Sequence, residues 1–187
     1  MFTILPIKGY IDQIDGFFCD GIHAGLKPNG NNDLGFIYTK EACTVAAIFT
    51  ENRFQAAPLK HFLAYEEGFK TNFVLINSKN ANALTGRKGI EDINTLFSKL
   101  NFDLINPVMS STGVIGNRLP IEKLVTGALK FDLTAKSGEN LSRAIMTTDA
   151  YPKTCLYEVK LDDGSSFKIG AVAKGAGMIN PNLATML

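Results

Sequence analysis

The pattern of residues predicts a mixed α/β fold, of the α/β or α+β kind, and three observations carry the prediction. Short apolar runs, Cys43–Phe49 (CTVAAIF) and Asn72–Asn77 (NFVLIN), read as buried strands. Ile90, Ile93, Leu96, Phe97 and Leu100 recur at helical spacing. Asp162-Asp163-Gly164 lies between two alternating runs, Cys155–Leu161 and Ser166–Val172, which is the signature of an antiparallel hairpin. Strands interleaved with helices and at least one hairpin define the class.

In chain order, Lys27–Asp33 (KPNGNND) is a polar, turn-rich loop rather than a linker, because apolar residues resume at once with Leu34–Tyr38. The strand Cys43–Phe49 follows. Pro58 suits the first turn of a helix through Leu59, Phe62, Leu63 and Tyr65, with Gly68 closing it. After the strand Asn72–Asn77 comes the helix around Ile90–Leu100, expected to keep Glu91, Asp92 and Lys99 in water. Pro107–Met109 reads as a short strand running into SSTGVIG. Pro120 opens a helix with Ile121, Leu124, Val125, Ala128 and Leu129, and a shorter helix covers Leu141–Met146. The hairpin and a glycine-rich end complete the chain.

Composition excludes several classes. The chain has 187 residues, enough to bury a sizeable core. Lys and Arg number 19 against 18 Asp and Glu, a net charge of +1, so no basic footprint for nucleic acid or an anionic membrane exists. Cys19, Cys43 and Cys155 are odd in number and widely spaced, and suggest neither a zinc site nor a disulfide framework. No apolar run approaches about 18–20 residues, and the N-terminus lacks a signal-peptide pattern. The expectation is a cytoplasmic protein without metal or cofactor.

Four clusters of small polar residues interrupt the apolar elements: Asn77–Gly86 (NSKNANALTG), Ser110–Gly116 (SSTGVIG), Met146–Lys153 (MTTDAYPK) and Ala173–Leu187 (AKGAGMINPNLATML). Each is open to two readings. Small residues let backbone N–H groups approach a ligand, and they also make ordinary turns. SSTGVIG could hold an oxyanion or simply turn a strand into a helix. AKGAGM lacks the Walker A spacing, and Lys174 is either a cation placed among glycines or a solvated lysine. His23 and His61 have no neighbourhood suited to a Ser-His-Asp arrangement and read as surface or packing residues, and the cysteines, with no nearby base, read as buried apolar residues. A Thr that uses its own α-amino group as base needs no histidine, but the chain must first be cut; Thr185, after Ala184, is placed for that.

Taken together, the clusters resemble the ornithine acetyltransferase (glutamate N-acetyltransferase) family of the arginine pathway. The resemblance runs through Ala42–Pro58 (ACTVAAIFTENRFQAAP), NSKNANALTG, SSTGVIGNRLP, MTTDAYPK and KGAGMINPNLATML, in the order of the family's first half. Three departures stand against it: the family usually has Gly where Lys79 stands and Cys where Leu84 stands, and Gly16–Lys27 (GFFCDGIHAGLK) is looser than the family pattern.

The resemblance implies a layered αββα architecture and an N-terminal-type Thr nucleophile. It implies that residues 1–187 are a single α-chain region of a self-cleaving precursor about twice as long. The cut would fall between Ala184 and Thr185, and Thr185 would head a β chain absent from this sequence. Thr112 and Gly113 match the oxyanion pair; Thr148, Lys174 and Thr185 match substrate-binding positions. The implied reaction passes an acetyl group from N-acetylornithine to glutamate through an acetyl-threonine, in ping-pong order, and some members also use acetyl-CoA with glutamate. The implied assembly is an α2β2 heterotetramer, with no nucleic acid and no membrane. On this reading the chain alone is inactive. Two other classes share parts of the pattern: a self-processing aminopeptidase of related architecture, and a truncated module without turnover.

Overall fold

The computed structural model describes residues 2–175. Among the described residues, two sheets and four α-helices form the fold. β1 (Phe2–Pro6) is followed by a 3-10 turn at Ile11–Gln13, then β2 (Phe17–Ile22) and β3 (Leu34–Thr44). After α1 (Ala57–Phe62) come β4 (Lys70–Asn77), α2 (Gly86–Ser98) and β5 (Val108–Ser111). α3 (Ile121–Ala128), α4 (Gly138–Ala144), β6 (Lys153–Leu161) and β7 (Ser166–Ala173) complete the order. A four-stranded sheet runs β2-β3-β4-β5 and a three-stranded sheet runs β1-β6-β7. All pairs are antiparallel except β4–β5.

The period-2 alternation of the four-stranded sheet sorts its side chains between two cores. Leu34, Phe36, Phe73, Leu75 and Met109 point to one face and pack against Ile93 and Leu96 of α2 and Leu124, Val125 and Ala128 of α3. Cys19 and Ile76 point to the other, where they meet Ile11, Leu141 and Ile145, with Val172 of β7 packed alongside. α4 lies close on that face because Gly21 and Gly35 are cross-strand partners. A Cβ on Gly21 would run into the Asn140 carbonyl, and one on Gly35 into Leu141.

The mixed α/β class holds, and so do most of the expected elements, with differences at their ends. Cys43–Phe49 is not the strand. The apolar run Leu34–Tyr38 opens β3, which ends at Thr44, and residues 45–50 lie outside any element. The ladder stops where its partner stops: Thr44 pairs with Lys70, the first residue of β4. α1 ends at Phe62 rather than at Gly68. β1 was invisible to local pattern because its partner, β6, is remote in sequence. Asp92 is buried rather than solvated; Arg118 reaches it from the loop before α3, with Nε–Oδ2 2.9 Å and Nη2–Oδ1 2.5 Å. Of the cysteines, Cys19 is buried but Cys155 is exposed.

Candidate active site

The parallel pairing of β4 and β5 makes their carboxyl ends emerge side by side, so two of the four polar clusters leave the sheet together. They then join as irregular ladders. Thr112 N–H donates to Asn77 O (3.0 Å), Val114 N–H to Lys79 O (2.9 Å) and Ala81 N–H to Val114 O (2.9 Å). Asn80 ties the two loops together: its side-chain amide donates to Arg118 O (3.0 Å) and its carbonyl accepts from Asn77 Nδ2 (2.8 Å).

Gly113 is required by this contact. Its φ is 133°, and a Cβ there would overlap the Lys79 carbonyl. Lys79 itself has φ 78° and Leu84 has φ 58°, the left-handed region that favours glycine. Position 79 is thus held in a conformation that glycine adopts more readily than lysine.

The other two clusters come from the segment between α4 and β6 and from the end of β7. Lys174 follows β7 directly and is buried. Its ammonium donates to Thr112 Oγ1 (2.8 Å) and to Thr147 Oγ1 (2.7 Å). Three separate motifs therefore meet at one nitrogen. Asp149 holds this meeting together: Oδ1 accepts from Gly175 N–H (2.8 Å) and Lys153 Nζ (2.7 Å), and Oδ2 from Thr147 N–H (3.1 Å).

Electrostatics follow from these contacts. Burial pushes the Asp149 carboxyl up, but the bonds from Lys153, Gly175 and Thr147 outweigh it and bring it from 3.8 down to about 2. Burial lowers the Lys174 ammonium below its ordinary value, with Asp149 opposing the fall. Lys27 is lowered by burial too, and feels both Asp149 and Lys174.

Of the residues expected from sequence, the structure joins Thr112, Gly113 and Lys174 in one place. Thr148 is exposed, and it is its neighbour Thr147 that bonds Lys174. Ala184 and Thr185 lie outside the described residues. Lys174 is not a solvated lysine. Sequence reading missed Thr147, Asp149 and Lys153; the i,i+4 Asp149/Lys153 pair inside MTTDAYPK was the available signal. The histidines stand apart from these contacts: burial lowers the His61 pKa as the ring packs on Tyr65 and Phe97, and His23 lies 3.2 Å from Asp33. Among the described residues no group of three or more His, Cys, Asp or Glu could hold a metal ion, and no helix is long and apolar enough to cross a membrane.

The chain is similar to known proteins along its length. Residues 18–187 match the ArgJ family. The arginine biosynthesis bifunctional protein ArgJ of Wolinella succinogenes is 52% identical over 190 residues, spanning 100% of this chain and 48% of that protein. The protein of the same name from Oceanobacillus iheyensis is 38% identical, spanning 96% of this chain and 45% of its own length. The chain thus spans about half the length of the curated relatives it matches. Among solved structures, the ArgJ protein of Bacillus halodurans superposes with a TM-score of 0.86 at 33% identity, covering 100% of this chain and 99% of that one. The ornithine acetyltransferase of Mycobacterium tuberculosis complexed with ornithine superposes with a TM-score of 0.75 at 30% identity, covering 95% of this chain and 97% of that one.

Proposed function

The chain belongs to the ArgJ family, and from that premise we propose that it is the α-chain half of a self-cleaving ornithine acetyltransferase. The proposed precursor cuts itself between Ala184 and Thr185. Thr185 then heads a β chain and acts as nucleophile, and two αβ pairs form the heterotetramer. Coverage supports the split: about half of each curated relative, but 99% of the crystallised Bacillus halodurans chain.

The observation that carries the reading is the Lys174 ammonium held by Thr112 and Thr147. A hydroxyl has one proton to donate. With a Thr112 lone pair occupied by an ammonium, that proton is polarised and free to meet developing negative charge, beside the Gly113 N–H. The Thr185 α-amino group, with a pKa of about 7.7–8.0, takes the proton of its own hydroxyl. The Thr185 oxygen attacks the acetyl carbonyl of N-acetylornithine, and Thr112 and Gly113 hold the tetrahedral oxyanion. The C–N bond breaks, ornithine leaves with the proton, and an acetyl-threonine ester remains. The glutamate amine attacks that ester, the bond between the acyl carbon and the Thr185 oxygen breaks, the amine's proton passes by way of the Thr185 α-amino group to that oxygen, and N-acetylglutamate departs. Lys174 keeps one of its three N–H donors for the α-carboxylate that both substrates carry, with Thr148 at the exposed rim of the same turn.

The test uses the full precursor. It should appear as two chains on a denaturing gel and transfer acetyl from N-acetylornithine to glutamate, whereas Thr185→Ala should remain one band. Lys174→Met should weaken both substrates by about 1.5–3 kcal/mol each, read by steady-state kinetics varying one substrate at a time. Cleavage of the Thr185→Ala precursor at the same bond would sink the self-processing, and near-neutral Lys174→Met kinetics would sink the substrate role.

A further inference from the structure

The polar loop Lys27–Asp33 folds around one carboxylate. Asp33 is fully buried, and its carboxylate accepts from three backbone N–H groups, those of Ala24 (2.7 Å), Leu26 (2.7 Å) and Lys27 (2.8 Å). His23 Nδ1 stands 3.2 Å from the same carboxylate. The loop is wired to both sides of the Lys174 contact. The Asp33 carbonyl accepts from Ser78 N–H (2.9 Å), next to Asn77, whose own carbonyl holds Thr112 N–H (3.0 Å). Ser78 Oγ donates to Ala144 O (2.7 Å), in the helix end that leads to Thr147.

This wiring delivers Lys27. Its main chain is fixed by Asp33, and its ammonium donates to Asn32 O (2.6 Å). Asn32 is held in turn, since its side-chain amide donates to Gly21 O (2.9 Å). An ammonium has three N–H donors, so two remain. The side chain is half-buried, and among the described residues it makes no direct ion pair: Asp33 is engaged by backbone N–H groups, and Asp149 by Lys153, Gly175 and Thr147. The charges of Asp149 and Lys174 both act on it, so the three groups share one region. A partly desolvated cation without a carboxylate contact is costly, and a carboxylate brought by a ligand offsets that cost.

We infer that Lys27 reads the side chain of the acyl acceptor, as a specificity residue of the site in the acetyltransferase reading, on which the inference rests. In that reading both substrates bring an α-carboxylate to Lys174. They differ at the far end, where N-acetylornithine carries an ammonium and glutamate a carboxylate. A second cation beside Lys174 attracts the second carboxylate and repels the ammonium. The same charge hinders ornithine from taking the acetyl group back and favours glutamate as the group that receives it. The ligand class is an amino acid with a side-chain carboxylate.

The test compares acceptors on the full precursor and on its Lys27→Met and Lys27→Gln variants. Ornithine release from N-acetylornithine reports the first half-reaction. Glutamate, or glutamine with its neutral side-chain amide, is then supplied as acceptor for the second. Both variants should raise the KM for glutamate by about 10–100-fold, and their preference for glutamate over glutamine in kcat/KM should fall by a similar factor. Their kcat/KM for N-acetylornithine should hold within about threefold or rise. The inference is overturned if the variants keep the parent's preference for glutamate over glutamine, or if both half-reactions fall together, as a merely structural lysine would make them do. Ornithine release by the parent separates the two levels. A parent that releases none refutes the acetyltransferase reading and the role of Lys27 with it. A parent that releases ornithine, beside variants whose acceptor preference is unmoved, leaves the reading standing and removes Lys27 alone.

Discussion

In the four-stranded sheet Phe36, Phe73 and Leu75 are fully buried beneath α2 and α3, whereas Phe167 and Ile169 of the three-stranded sheet stand about half exposed. Both sheets divide their side chains between two faces. The difference lies in what each face meets. The first sheet finds helices from this chain on both sides, and the second meets the body through Leu156, Gly170 and Val172. Strand pattern therefore sets which residues share a face, and the neighbouring layer sets what that face is worth.

The contrast can be broken by truncation. Leu75→Ala should destabilise the chain by about 2–5 kcal/mol in urea unfolding, through lost burial and a cavity. Ile169→Ala should stay within about 0.5 kcal/mol, as exposed substitutions do. A comparable loss at both positions would mean that the second face is already covered.

Close approach supplies a second contrast. Gly21 admits α4 onto the first sheet, so Gly21→Ala should cost about 1–3 kcal/mol by overpacking. Gly164, in the β6–β7 turn, has open space where a Cβ would go, so only its φ of 86° resists substitution. Gly164→Asn, which tolerates that conformation, should be nearly silent. Equal melting temperatures for Gly21→Ala and the parent would remove the steric account of α4 packing.

The junction between the two sheets should respond to acid. Asp149 titrates at about 2 in the folded chain, below its unfolded value of about 3.9. A depressed carboxylate adds stability that is complete above the unfolded value and is lost as pH falls through about 4 toward 2. The contribution is at most about 2–3 kcal/mol, and Asp149→Asn should flatten the stability–pH curve over that window. An unchanged curve would show that Asp149 does not clamp Thr147 and Gly175. The smallest expected change is a gain: Lys79→Gly should stabilise by up to about 1 kcal/mol by relieving φ 78°, measured as a raised urea midpoint.

Elements with local signals were legible without coordinates. NFVLIN became β4, the Ile90–Leu100 periodicity became α2, and the Asp162-Asp163-Gly164 hairpin formed with nearly the expected strands. Thr112-Gly113 and Lys174 stood in small-residue clusters that could equally be turns, and the resemblance rather than the local pattern singled them out. β1 carried no such signal, because its pairing to β6 closes a loop of most of the chain. Asp92 looked solvated from its place on an amphipathic helix, and only the arrival of Arg118 buries it. The preference of Thr147 over Thr148 for Lys174 was equally closed to local reading, since it depends on how the turn after α4 meets the end of β7. Periodicity, turn chemistry and residue type act over a few residues, so the sequence by itself determined the elements, their faces and the polar clusters. Tertiary structure alone decided which clusters meet at the Lys174 ammonium and which sheet face is left uncovered, because both depend on contacts between segments separated by tens of residues.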